Sequence, residues 1–137
     1  MNHFVLDACA LIALLQNEEG AEKVADAINA AYEENITVTM NKINLLEVYY
    51  DAYRTRGKEQ ADLMVEELKK RPININAEIT DEIFTAAGRL KASCRISLAD
   101  SIVLAQALVL DAELLTADHH EFGNIEGRES VRFHWIR

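Results

Sequence analysis

A chain of 137 residues has the length of one ordinary domain, and its 50% hydrophobic and 27% charged residues exclude a disordered or fibrous protein. Five Gly and one Pro exclude long linkers and a turn-rich all-β architecture, and the chain has no low-complexity tract or fixed-period repeat. A net charge of −9 excludes nucleic-acid binding by blanket phosphate neutralisation; a polyanionic substrate would need the acids offset locally, and a bound divalent cation is the obvious agent.

The run "FVL" before Asp7 reads as a short buried strand, and "ACALIALLQN" after it as a helix by length and Ala/Leu content. "EEGAEKVADAINAAYEEN" is an amphipathic helix, with Ala21, Val24, Ala25, Ile28 and Tyr32 on one face and Glu22, Lys23, Asp26 and Glu33 on the others. "ITVTM", β-branched and bounded by polar residues, is the second strand. "NKINLLEVYYDAYRTRG" is a helix ending at Gly57, with Arg54 and Arg56 in the last turn, where the macrodipole favours cations. "KEQADLMVEELKKR" is another, with an apolar stripe of Ala61, Met64, Val65 and Leu68 and a stop at Pro72. "INI" at 73–75 is a candidate third strand. "TDEIFTAAGRLKASC" starts at a Thr80 cap with two acids in its first turn, and Ser97 opens an almost wholly apolar helix through Leu110. "AELLTA" and "VRFHWI" are the last strands. Strands alternating with helices predict an α/β fold with a mostly parallel sheet, as one domain over residues 1–137.

Cys9 and Cys94 have no metal-like spacing and form no C-x-x-C; they read as small buried hydrophobes in a reducing compartment. No apolar run reaches the roughly 20 residues that span a bilayer, so no membrane association is expected. The first seven residues carry an acid and no basic lead-in, so no signal peptide is expected either, and the protein reads as cytoplasmic.

Four acids interrupt this apolar pattern. Asp7 and Asp118 follow two predicted strands, at the carboxyl ends where open α/β sheets bind ligands. Glu47 and Asp100 lie near the starts of two predicted helices. Each has a plainer reading. "SLAD" resembles a capping box in which Asp100 answers Ser97, and "NLLE" could pair Asn44 with Glu47, although that helix could begin earlier, near Asn41. Asp7 could simply cap a helix and Asp118 start a turn. As a set they demand more, because a carboxylate in a buried segment must be paired, hydrogen-bonded or bound to metal. No Lys or Arg lies in the local sequence of Asp7, Asp100 or Asp118. Clustered carboxylates also raise one another's pKa values, and a hard cation relieves the repulsion. Mg²⁺ or Mn²⁺, held by Asp7, Asp100 and Asp118, would retain positions for water and phosphate oxygens. Such a site can cleave a phosphodiester by activating water and stabilising the leaving oxygen.

"VLDACALIALL", "NLLEVYY", "SLADSIVLAQAL" and "LLTADHHEF" are similar, in order and spacing, to the four acidic motifs of PIN-domain proteins, and most of all of VapC-type toxins of toxin–antitoxin pairs. The resemblance spans nearly the whole chain. It implies a three-layer α/β/α sandwich and metal-dependent endoribonuclease activity, with Asp7, Glu47, Asp100 and Asp118 as the catalytic acids. It also implies supporting roles for Thr116, Asn44 and Glu121. Cys9 departs from the hydroxyl or amide residue that the family often carries two positions after the first acid, and a thiol is the poorer hydrogen-bond partner. His119 and His120 fall outside the pattern and read as solvent-facing loop residues.

The expected partners are an RNA substrate, a protein antitoxin that places a basic side chain in the acidic pocket, and a second copy in a homodimer. Two other functions fit the same acids: a PIN-like protein-interaction module, and a phosphatase or other phosphoryl-transfer enzyme. A haloacid-dehalogenase nucleophile is excluded by "ACA" after Asp7, which lacks a second Asp two residues on. No Ser or Cys nucleophile motif with a matching His is present.

Overall fold

A computed structural model describes residues 3–33 and 35–137; the sequence expectations at Met1, Asn2 and Glu34 lie outside them. The elements in order are β1 (His3–Leu6), α1 (Ala8–Leu15), α2 (Ala21–Ala31), β2 (Thr37–Asn41), α3 (Lys42–Arg56) and α4 (Lys58–Lys69). They continue with β3 (Ile73–Asn76), α5 (Asp81–Ser93), α6 (Leu98–Val109), β4 (Glu113–Thr116), α7 (His119–Phe122) and β5 (Arg132–Trp135). The strands form one sheet in the order β3-β2-β1-β4-β5, and every pairing is parallel. "Mostly parallel" thus becomes wholly parallel, and the candidate strand at 73–75 is the edge strand β3.

Alternation along the strands builds the layers. Val5 and Leu114 enter one core cluster with Ile83, Leu90, Val103 and Leu104 of α5 and α6. Their neighbours Leu6 and Leu115 point the other way, into a second cluster with Leu11, Val24 and Ile28 of α1 and α2. Helices therefore cover both faces of the sheet, giving the three-layer α/β/α sandwich. A central strand buried on both sides must be apolar at consecutive positions, which is why "FVL" and "LL" carry no polar alternation.

The helix starts follow their caps. Asn41 accepts the Ile43 N–H (2.9 Å), Thr80 the Ile83 N–H (3.2 Å) and Ser97 the Asp100 N–H (3.1 Å). On α2 the buried face is Ala21, Val24, Ala27 and Ile28. Tyr32, expected on that face, caps the helix end and is 61% exposed, because the last turn runs past the edge of the core. Gly20, before α2, has φ +94°, and a Cβ there would stand 2.5 Å from the Ile136 carbonyl oxygen, so the loop can pass the end of β5 only as glycine.

Candidate functional site

The parallel pairing of β1 with β4 sets Leu6 against Leu115, so the chain leaves both strands at the same edge of the sheet. Asp7 is the first residue beyond β1, and Asp118 follows two residues beyond β4. Asp7 is buried. One carboxylate oxygen caps α1 by accepting the Ala10 N–H (2.8 Å), and the other accepts the Thr116 hydroxyl. The same Thr116 oxygen accepts the Asp118 N–H (3.0 Å), so a single buried hydroxyl ties the two acidic loops together. Asp118 then caps α7 by accepting the Glu121 N–H (3.0 Å).

Glu47 on α3 and Asp100 in the first turn of α6 complete the arrangement. Asp7, Glu47, Asp100, Asp118 and Glu121 line one cavity of about 430 Å³, together with Glu18, Ser97, Cys9, Ala8 and Ile12. Thr116 and Asn44 stand behind it. Asn44 is wholly buried and does not cap α3, whose cap is Asn41; its Nδ2 donates to the Ala99 carbonyl (3.2 Å), joining α3 to the turn of α6 that carries Asp100.

The plainer readings of Asp7 and Asp118 hold without displacing the cavity: both acids cap helices and line it. Ser97 does cap α6, but its partner is the backbone N–H of Asp100, which leaves the Asp100 side chain on the cavity wall.

The electrostatics follow from burial and crowding. Burial pushes Asp7 up to about 7; the Thr116 and Ala10 hydrogen bonds oppose this, and the charges of Asp100 and Asp118 add to it. Burial likewise raises Asp100 to about 6, against the Ser97 hydroxyl and with the charges of Glu121, Glu47 and Asp118. Glu47 is raised by burial and by Asp118, and Asn44 opposes the shift. No Lys or Arg is among the lining residues. Among the described residues no three His, Cys, Asp or Glu side chains already converge tightly enough to enclose an ion. The donors are nevertheless mainly carboxylate oxygens in a cavity with room for water and phosphate oxygens. That set suits a hard divalent cation, which uses few protein ligands and keeps its remaining positions for other oxygens.

The PIN-domain family profile matches residues 4–127. The chain belongs to the PIN-domain family. Its fold is similar to that of VapBC-1 from nontypeable Haemophilus influenzae, at TM-score 0.73 and 23% identity over 98% of both chains. It is also similar to DNA-bound VapBC from Salmonella typhimurium, at TM-score 0.76 and 16% identity over the whole of both chains. A third similar structure is Mycobacterium tuberculosis VapC20, described as a Sarcin-Ricin loop cleaving toxin, at TM-score 0.64 and 14% identity over 94% of this chain and 98% of that one. No curated protein sequence matches.

In this PIN domain one acid of the cavity, Glu18, carries no signal in its local sequence. Glu18 lies in the loop between α1 and α2, with nothing apolar around it to mark it, and reaches the cavity only because the loop folds back. It pairs with Arg137 (3.4 Å), a cation that local sequence could not place near the acids. Cys9, expected as a buried small hydrophobe, is only half-buried and lines the cavity; burial and the Asp7 charge push its thiol up to about 11. It stays protonated there. His119 and His120 are exposed as expected, but they sit in the short helix α7 rather than in a loop, and neither lines the cavity.

Proposed function

We propose that the chain is a divalent-metal-dependent endoribonuclease, the toxin of a toxin–antitoxin pair, built as a single domain that acts in the cytoplasm. The observation that carries this reading is the convergence of six acids from five separate segments on one cavity that no lysine or arginine of the described residues lines. Family membership supports the chemistry, and the similarity of fold to toxins of VapBC complexes supports the biological role.

Asp7, Asp100 and Asp118 would hold the ion, Mg²⁺ or Mn²⁺, with Glu47 as a catalytic acid beside them and Glu121 in support. When bound, the cation supplies Lewis acidity for the attacking water and for the charge on the phosphate. The protein supplies position and protonation. Thr116 fixes the Asp7 carboxylate and the Asp118 backbone relative to each other. Glu47, with its affinity for protons raised, is suited to take the proton from the attacking water as the new P–O bond forms and the old one breaks. Because Asp7 binds its proton up to about pH 7, cation binding would release a proton near neutrality.

The antitoxin would cover the cavity and place an arginine in it, where several carboxylate oxygens can accept from the guanidinium. A homodimer is supported by the exposed apolar side chains of Phe84 (71%) and Leu98 (66%) on α5 and α6. The same face supports the other reading, an interaction module without catalysis. Purified chain, freed of any partner, decides between them when incubated with structured RNA in Mg²⁺ or in EDTA. The nuclease reading expects cleavage in Mg²⁺ alone and its loss in Asp7→Asn; a chain that leaves RNA intact with Mg²⁺ and with Mn²⁺ is the interaction module.

A further inference from the structure

Phe133 and Trp135 lie two residues apart on β5 and so share a face of the sheet. Their rings are stacked, with centroids 5.2 Å apart and planes 10° apart, and both pack against a core cluster. The His119 ring stacks in turn on Trp135, at 3.8 Å and 13°. The series thus runs from the core outward and ends on His119, an exposed residue with no further aromatic neighbour among the described residues. Polar atoms hold the rings in place: Trp135 Nε1 donates to Glu126 (3.0 Å), and His119 Nε2 bonds the Arg137 carbonyl (2.8 Å).

His119 directly follows Asp118, and the same short helix carries Glu121 into the acidic cavity. We propose that the outer face of the His119 ring is a stacking subsite for a nucleobase of the RNA, beside the nucleotide whose phosphate enters the cavity. The subsite rests on the nuclease reading for its ligand, and it answers a difficulty of the chain's own charge. At −9 the protein cannot gather RNA by phosphate neutralisation, whereas base–aromatic stacking needs no positive charge and accepts any base. A ring already fixed by Trp135 and by its Nε2 bond loses little freedom when a base settles on it.

Trp135 is the chain's single tryptophan, so its fluorescence reports the stack directly. In EDTA, the chain is titrated with a single-stranded oligoribonucleotide and with an abasic strand of equal length. The subsite expects saturable quenching by the base-bearing strand alone, with affinity roughly tenfold weaker in His119→Ala and recovered in His119→Phe. With Mg²⁺, the His119→Ala loss should lie in KM. Equal binding of the two strands, or unchanged affinity in His119→Ala, would make the stack a packing device. A chain that cleaves RNA with a flat His119 series loses the subsite and keeps the nuclease; base-dependent quenching without any cleavage does the reverse.

Discussion

Asp7→Asn should make the metal-free protein more stable near neutral pH while abolishing its activity. In the folded chain Asp7 holds its proton up to about 7, against 3.8 for the free side chain. A folded pKa above the unfolded one means that the native state binds the proton more tightly. The protein therefore carries no penalty from Asp7 below the unfolded value, loses stability as pH rises between the two values, and bears the full penalty above the folded one. At 1.36 kcal/mol per pKa unit that penalty is up to roughly 4 kcal/mol. Asparagine removes it. The substitution keeps the acceptor for the Ala10 N–H, since Asn caps helices as well as Asp, and gives up the bond from the Thr116 hydroxyl, about 1 kcal/mol. The net expectation in EDTA is a gain of about 3 kcal/mol near pH 8 and a loss of about 1 kcal/mol near pH 4. Urea unfolding at the two pH values reads both, as a shift of midpoint at constant slope. Mg²⁺ should stabilise the natural chain and much less the variant. An equal loss at both pH values would refute the assignment of a buried, crowded carboxylate to Asp7.

Thr116→Val removes a hydroxyl that favours the ionised form of Asp7, so the acid limb of the cleavage pH profile should move up by about one unit; an unmoved limb would detach Asp7 from the reaction. Asn44→Ala breaks the tie to the Ala99 carbonyl and should cost about 1–3 kcal/mol in urea unfolding, with cleavage falling as Glu47 and Asp100 lose their alignment. Gly20→Ala puts a Cβ 2.5 Å from a carbonyl oxygen at positive φ and should cost about 2 kcal/mol or more, without any change in metal dependence.

The legible parts of the fold were those in which one local force dominates. Central strands are apolar at consecutive positions because helices cover both faces, and Asn41, Thr80 and Ser97 mark helix starts because a side-chain oxygen satisfies an otherwise free N–H. The neighbourhood of Asp7 and Asp118 followed from the rule that parallel strands present their carboxyl ends together. Tyr32 misled because helical periodicity says which face a residue takes but not where the core beneath that face stops. Four residues, "HHEF", were too few for periodicity to show α7. Glu18 and Arg137 lie 119 positions apart, and only the closed sandwich brings their side chains together. Cys9 differs for the opposite reason: its residue type fits a core position, while its place in the first turn of α1, two residues after Asp7, leaves it half-buried on the cavity wall.

Asp100 separates helix capping from metal chemistry most directly. Ser97 caps α6 through the Asp100 backbone N–H, so Asp100→Asn leaves the cap intact and removes only the charge, while Ser97→Ala removes the cap acceptor and leaves the carboxylate. RNA cleavage in Mg²⁺ is measured for both variants beside their melting temperatures in EDTA. Asp100→Asn should lose cleavage with its melting temperature unchanged or raised, whereas Ser97→Ala should lose about 1 kcal/mol of stability and still cleave. An Asp100→Asn protein that cleaves RNA as the natural chain does would contradict the metal role of Asp100.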